Sequence, residues 1–258
     1  MHKEKLLYSL IFTLLVTALA APISYDQEES SKRKGRDLVF ALDTSGSMAE
    51  SGFDKEAPQK QKFTALKELL KAFVTHRYDD NVGVSIFGTF SYGAIPLSYD
   101  MKSVTFLLNF FDVGIAGDST AIGEGLESAL KILKHGEAKE KVIILITDGY
   151  QNSGTVSVKE AVQHAKKMGV KIYPIGLGKT GDFDANLLKL IAKETHAKMF
   201  KAKSSEDLVA VYTQLDALEP SAIRSRHYLN KKELYPFPLA LAALLLAYLL
   251  LRQKEENL

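Results

Sequence analysis

The stretch LVFALDTSGSM, residues 38–48, decides the reading of this chain. Five apolar residues, Leu38 to Leu42, run straight into Asp43, and Ser45 and Ser47 follow at alternate positions. An unbroken aliphatic run of this length marks a strand buried on both faces, as in a parallel sheet. The polar cluster that ends it has two readings. It is a turn whose side chains satisfy loop amides, or it is a set of oxygens presented to a charged guest.

A second stretch repeats the pattern. KVIILITDG, residues 141–149, is a fully buried strand that ends at Asp148. Around these two runs, strands and helices alternate. Strands are expected over 37–42, 82–87, 141–147 and 170–175, with 93–97 as a hairpin partner and 199–202 as an edge. Helical spacing appears over 60–76, where Phe63, Leu66, Leu70, Phe73 and Val74 share a face, and over 121–133. Further helices are expected over 104–111, 158–168, 186–193 and 206–218, with Gly169 capping the one over 158–168. Strands separated by helices imply an α/β fold with a doubly wound, mostly parallel, Rossmann-like sheet covered on both faces, here spanning residues 36–219. Ligands bind such sheets at the carboxyl ends of the strands, near a topological switch point. Asp43 and Asp148 both fall there.

Bulk composition excludes several classes. The chain has 258 residues, 46% hydrophobic and 25% charged, which fits one globular domain with appendages. A net charge of +2 gives no basic field for nucleic acid. With no cysteine there are no disulfides, thiolate zinc sites or cysteine nucleophiles. The six histidines show no zinc-binding spacing.

Both ends are apolar. Residues 6–22, LLYSLIFTLLVTALAAP, follow Lys3 and Lys5 and carry no charge, so residues 1–22 read as a transmembrane helix or signal anchor, with Ala18 to Ala20 as a cleavage signal in the alternative. Residues 235–251, YPFPLALAALLLAYLLL, read as a C-terminal transmembrane helix, apolar all round and bounded by Lys231, Lys232 and Arg252. Residues 23–35 then form a linker, 220–234 a juxtamembrane connector and 252–258 a tail. The Lys and Arg count near the spans places the central domain in the cytoplasm. The signal-like N-terminus places it on the other side.

The rim residues form a chemical set. Asp43, Ser45 and Ser47 stand in one loop, Asp148 in another, and GDSTAIG, residues 117–123, brings Thr120 to the expected N-cap of a helix. All of these donors are oxygen, which suits a hard cation such as Mg²⁺, Mn²⁺ or Ca²⁺. Hydroxyl ligands leave such an ion under-neutralised, so a carboxylate from another molecule completes its shell. Asp118 reads as a solvated loop residue or an outlying acid. GDFD, residues 181–184, lacks the length of a calcium loop and reads as a turn opening a helix. GIAGDSTAIGEG, residues 114–125, lacks the Lys-Ser/Thr pair of a nucleotide loop.

Asp43 to Met48 (DTSGSM), with Thr120 and the TDG of residues 147–149, resembles the metal-ion-dependent adhesion site of von Willebrand factor A domains. The resemblance implies Ser45, Ser47 and Thr120 as direct metal ligands, with Asp43 and Asp148 acting largely through water. RDLVFALDTSGSM, AIPLS, DSTAIGEGLESAL, KVIILITDGYQNSG, KIYPIGLG and the tail YLNKKELYPFPLALAALLL resemble the bacterial membrane-anchored aerotolerance-operon (Bat) type. That type implies a non-enzymatic interaction module on the outer face of the cytoplasmic membrane. It also implies partners: other Bat-type membrane proteins, tetratricopeptide proteins and a MoxR-type AAA+ ATPase. Two further functions compete with docking. A Mg²⁺-dependent phosphatase with an aspartyl nucleophile also places Asp after its first strand, but Ser45 occupies the position of its second acid and the sequence identifies no positioned lysine. A sensor of divalent-ion concentration differs from a docking module mainly in affinity.

Overall fold

The computed structural model describes residues 2–25, 35–77, 80–218 and 231–256. The strands among them are β1 (Ile23–Tyr25), β2 (Asp37–Asp43), β3 (Asn81–Phe87), β4 (Ser91–Ser98), β5 (Lys141–Thr147), β6 (Lys171–Leu177), β7 (Phe200–Ala202) and β8 (Lys231–Glu233). The helices are α1 (His2–Leu19), α2 (Lys62–Thr75), α3 (Met101–Leu107), α4 (Ile122–Lys134), α5 (Val158–Lys167), α6 (Ala185–Glu194), α7 (Ser205–Leu218) and α8 (Pro236–Glu256). They fall into two units, Lys34–Ser225 and a second made of Met1–Arg33 with Arg226–Leu258.

In the larger unit six strands form one sheet in the order β4-β3-β2-β5-β6-β7. All neighbours are parallel except β3 and β4, which form the antiparallel hairpin expected from the sequence. The alternation of side chains along each strand divides the core. Leu38, Phe40 and Leu42 join Val84, Ile86, Ile144 and Ile146 on one face, under α2, α3 and α7. Val39, Ala41, Ile143, Leu145 and Ile172 point to the other, under α4, α5 and α6. Both faces are therefore apolar, which explains the continuous aliphatic runs. β2 lies at the centre, and the chain leaves it to build β3 on one side and β5 on the other, so the switch point lies at its carboxyl end.

The opposite rim is closed by charge. The Arg36 guanidinium donates to Asp80 at 2.8 Å, and Arg77 donates to the same carboxylate at 3.0 Å. Burial works against the Asp80 charge, but Arg36 and Arg77 outweigh it and hold the carboxyl below its usual range. Asp216 also pairs with Arg77. This cluster fixes the start of β2, the end of α2 and the entry to β3.

Several boundaries differ from the sequence reading. α3 begins at Met101 rather than Val104, because the Asp100 carboxylate accepts from the Lys102 and Ser103 amides and caps the helix three residues early. Residues 23–25 and 231–233, expected as linker and connector, pair antiparallel in a two-stranded ladder. Linker residues 26–34, connector residues 220–230 and residue 219 at the expected end of the central domain lie outside the described residues. Within this smaller unit Ile11 of α1 packs with Ala242 and Leu249 of α8. Helices stand where the sequence reading put its two spans, but among the described residues no helix is long and apolar enough to cross a membrane. α1 starts with HKEK and α8 finishes with RQKEE.

Candidate functional site

β2 ends at Asp43, and the register across the sheet puts Leu42 beside Ile146, so Asp43 lies level with Thr147. The Thr147 hydroxyl donates to Asp43 Oδ2 at 2.5 Å, and the Ser45 amide donates to Oδ1 at 2.9 Å. Asp43 is 0% exposed. Burial pushes its carboxyl up to about 6, against the hydrogen bonds from Ser45 and Thr147. The chain then turns through a single 3₁₀ segment, Gly46–Ala49, anchored by the buried Met48. That tight turn sets Ser45 Oγ and Ser47 Oγ 3.3 Å apart.

Three loops meet here. Ser47 Oγ donates to Asp148 Oδ1 at 2.6 Å, joining the loop after β2 to the loop after β5. The Gly46 amide donates to the Asp118 carbonyl at 3.0 Å, joining the first loop to the segment before α4. Thr120 lies in that segment, buried, and a Cβ on Gly149 would stand 3.1 Å from its hydroxyl oxygen. Its amide donates to Asn152 Oδ1 at 2.8 Å, and its carbonyl accepts from the Asn152 amide at 3.0 Å. The N-cap of α4 is Ala121, not Thr120 as expected. Thr120 stands two residues before Ile122, the first residue of the helix, and takes no capping role, which leaves its side chain on the rim beside Gly149. The loop after β3 braces this arrangement. A Cβ on Gly88 would fall 2.2 Å from the Gly117 carbonyl oxygen, so two backbones approach as only glycine permits.

The five residues singled out from the sequence therefore share one rim. Asp43, Ser45, Thr120 and Asp148 are buried and Ser47 is half-buried. Asp118 contributes its backbone; its side chain is exposed. GDFD behaves as read, with Asp184 capping α6 by accepting from the Asn186 and Leu187 amides.

Lys62 was missed. Its ammonium donates to Asp148 Oδ2 at 2.5 Å and to Glu50 Oε2 at 3.1 Å, so a positioned lysine exists after all. The lysine side chain is only 6% exposed. Burial works against its charge, yet the hydrogen bonds and charges of Asp148 and Glu50 prevail and raise its pKa. A signal was present. Lys62 precedes Leu66 and Leu70 by one and two helical repeats, on the buried face of α2, where a lysine is out of place.

Among the described residues no group of three or more His, Cys, Asp or Glu is placed to hold a metal. Any cation at this rim has to be held by two carboxylates and neighbouring hydroxyls, a set that fits a hard ion better than a soft one.

Residues 37–214 match the family model described as von Willebrand factor type A domain. The chain belongs to that family. An uncharacterized protein of Borreliella burgdorferi is 30% identical over 188 residues, which cover 73% of this chain and 54% of that one. The chain thus spans about half the length of that relative. The crystal structure of BatB from Bacteroides thetaiotaomicron superposes with a TM-score of 0.60 at 22% identity, covering 71% of this chain and 98% of that one; at this identity the likeness is one of fold. Proximal thread matrix protein 1 of the mussel byssus, solved with a zinc-occupied MIDAS motif, is 25% identical with a TM-score of 0.60, over 82% of this chain and 52% of that one.

Proposed function

We propose that this von Willebrand factor A domain binds a divalent cation through Ser45, Ser47 and Thr120, with Asp43 and Asp148 behind them, and uses it to dock a carboxylate of a protein partner. The contact between Ser47 and Asp148 carries the reading, because it brings the two halves of the motif to one place. The donor set also favours it. Neutral hydroxyls leave the charge of a bound ion only partly compensated, which favours a further anionic ligand. The mussel protein with zinc at its own MIDAS motif gives a precedent for a divalent ion in this fold. Mg²⁺ is the ion favoured by oxygen-only donors, with Mn²⁺ and Ca²⁺ as substitutes.

Binding is favoured over hydrolysis by the state of Asp43. An aspartyl nucleophile needs a free, ionised and accessible oxygen. Here both carboxylate oxygens accept hydrogen bonds and the residue is fully buried. Lys62 supplies a cation, but to Asp148 rather than to Asp43.

We further read α1 and α8 as the anchors that tether the domain to the bacterial cytoplasmic membrane. Exposed Leu6, Phe12, Leu244 and Leu251 support this, since large apolar side chains left in water are costly. The resemblance to the Bat type supports an outward-facing domain in an envelope complex served by a MoxR-type AAA+ ATPase. Reporter fusions after residues 35 and 258 test the side.

The metal reading is tested by calorimetric titration of Mn²⁺ into the solubilised full chain, wild type beside Asp43→Ala. Binding by the wild type and its loss in the variant are expected. Equal affinity in both removes the proposal. Metal-dependent turnover of a phosphate-ester panel, abolished in the same variant, would favour the hydrolase.

A further inference from the structure

Lys62 sits where several physical terms oppose a lysine. It is buried, it is the first residue of α2, where the helix dipole disfavours a cation, and it lies on the apolar face of that helix. Its ammonium donates to two carboxylates, Asp148 and Glu50, and Glu50 is 69% exposed. The strong, buried partner is Asp148, whose carboxylate is shared between Lys62 on one oxygen and Ser47 on the other. The lysine is thus built into the rim and aimed at a residue of the motif.

We infer that Lys62 is a positioning cation that sets the balance of this site, lowering its affinity for a divalent ion and raising the affinity of the loaded site for an anionic partner. The inference rests on the metal reading above and deepens it. Charge decides the direction. Asp43 and Asp148 contribute two negative charges and Lys62 cancels one, leaving the buried set at −1; Glu50 is 69% exposed, so solvent screens its charge and it stands outside that set. A divalent ion takes that set to +1, whereas without the lysine it would reach zero. A neutral loaded site has little electrostatic call on a carboxylate; a positive one in a half-buried rim has a strong one. The same positive charge repels the incoming ion. Each effect is on the order of tenfold in affinity for charges a few ångströms apart and partly screened by water.

Lys62 also orients Asp148. With Oδ2 held by the ammonium, Oδ1 remains toward Ser47 and the rest of the rim. Arginine in the same place keeps the charge and a donor to Oδ2, and methionine keeps the stem volume without the charge.

The test uses the solubilised full chain as wild type, Lys62→Met and Lys62→Arg, with circular dichroism melting to verify folding. Two quantities are read calorimetrically: Mn²⁺ affinity, and the affinity of the Mn²⁺-saturated protein for glutarate. Lys62→Met is expected to bind Mn²⁺ about tenfold more tightly and glutarate about tenfold more weakly, and Lys62→Arg to stay close to wild type in both. Should Lys62→Met fail to fold, Lys62→Gln carries the same expectation. Opposite shifts are the signature, because loss of structure weakens both affinities together. A folded, uncharged variant that leaves either affinity unchanged, or lowers both, overturns the inference while leaving the metal reading intact. A wild type that binds no Mn²⁺ overturns the metal reading and this inference with it.

Discussion

Ser47 and Asp148 stand 101 residues apart in sequence and are joined by a 2.6 Å hydrogen bond from hydroxyl to carboxylate. Nothing local forces that contact. It exists because β2 and β5 are adjacent in the sheet and both end at the same rim. The fold thereby turns two short strings into one site. Replacing Ser47 with Ala removes the junction at a half-buried position where water can take over the lost bond. The expected result is a fall in Mn²⁺ affinity of about tenfold or more, with at most about 1.5 kcal/mol lost from unfolding stability in urea.

The Asp43 carboxyl gives the site a pH dependence. Its proton is held more tightly in the folded chain than in the unfolded one, because burial raises it to about 6. Its own contribution to stability is therefore full in acid and is lost as pH rises through about 6. Cation binding runs the other way, since the ion requires the ionised carboxylate. Mn²⁺ affinity should be flat above pH 7 and about tenfold weaker at pH 5. Calorimetry across that range checks it.

Thr147→Val removes the hydroxyl that donates to Asp43 Oδ2 while keeping the buried volume close. One stabilising bond to the ionised form disappears, so the carboxyl rises further and the pH at which Mn²⁺ binding fails moves upward. A midpoint unchanged from wild type would show that Thr147 does not tune Asp43.

At the far rim Asp80→Asn leaves Arg36 and Arg77 buried without their shared counter-charge. The cost should be about 3 kcal/mol in chemical denaturation, with Mn²⁺ affinity unaltered because the cluster lies at the opposite ends of the strands. The sign with pH follows from the lowered carboxyl. Its contribution is present above the unfolded value and is lost as pH falls through the folded one.

Gly88→Ala tests the bracing of the rim. The added methyl meets the Gly117 carbonyl oxygen at 2.2 Å, and a backbone atom cannot swing away like the end of a side chain. About 1–3 kcal/mol of destabilisation is expected, together with weaker Mn²⁺ binding, because the segment that must shift leads to Thr120.

Much of this architecture was legible in the sequence because strands buried on both faces write themselves as unbroken aliphatic runs. Leu38 to Leu42 and Val142 to Ile146 needed no further clue, and the aspartates that follow them located the rim. Less was legible where one residue decides against the pattern. Asp100 moved the start of α3 by capping it from outside the apolar repeat. Thr120 looked like an N-cap by residue type, yet the helix starts one residue later. Lys62 vanished into an otherwise apolar face, since helical periodicity averages over the odd position. The ladder between Ile23–Tyr25 and Lys231–Glu233 joins segments of three residues too short and polar to show a strand period.

Anomalous diffraction from crystals soaked in Mn²⁺ tests the central claim most directly. The account predicts one strong peak at the carboxyl ends of β2 and β5, about 2.1 Å from Ser45 Oγ and Ser47 Oγ and adjacent to Thr120 and Asp148. Saturating Mn²⁺ with no peak at this rim, or with the ion held by other residues, would contradict it.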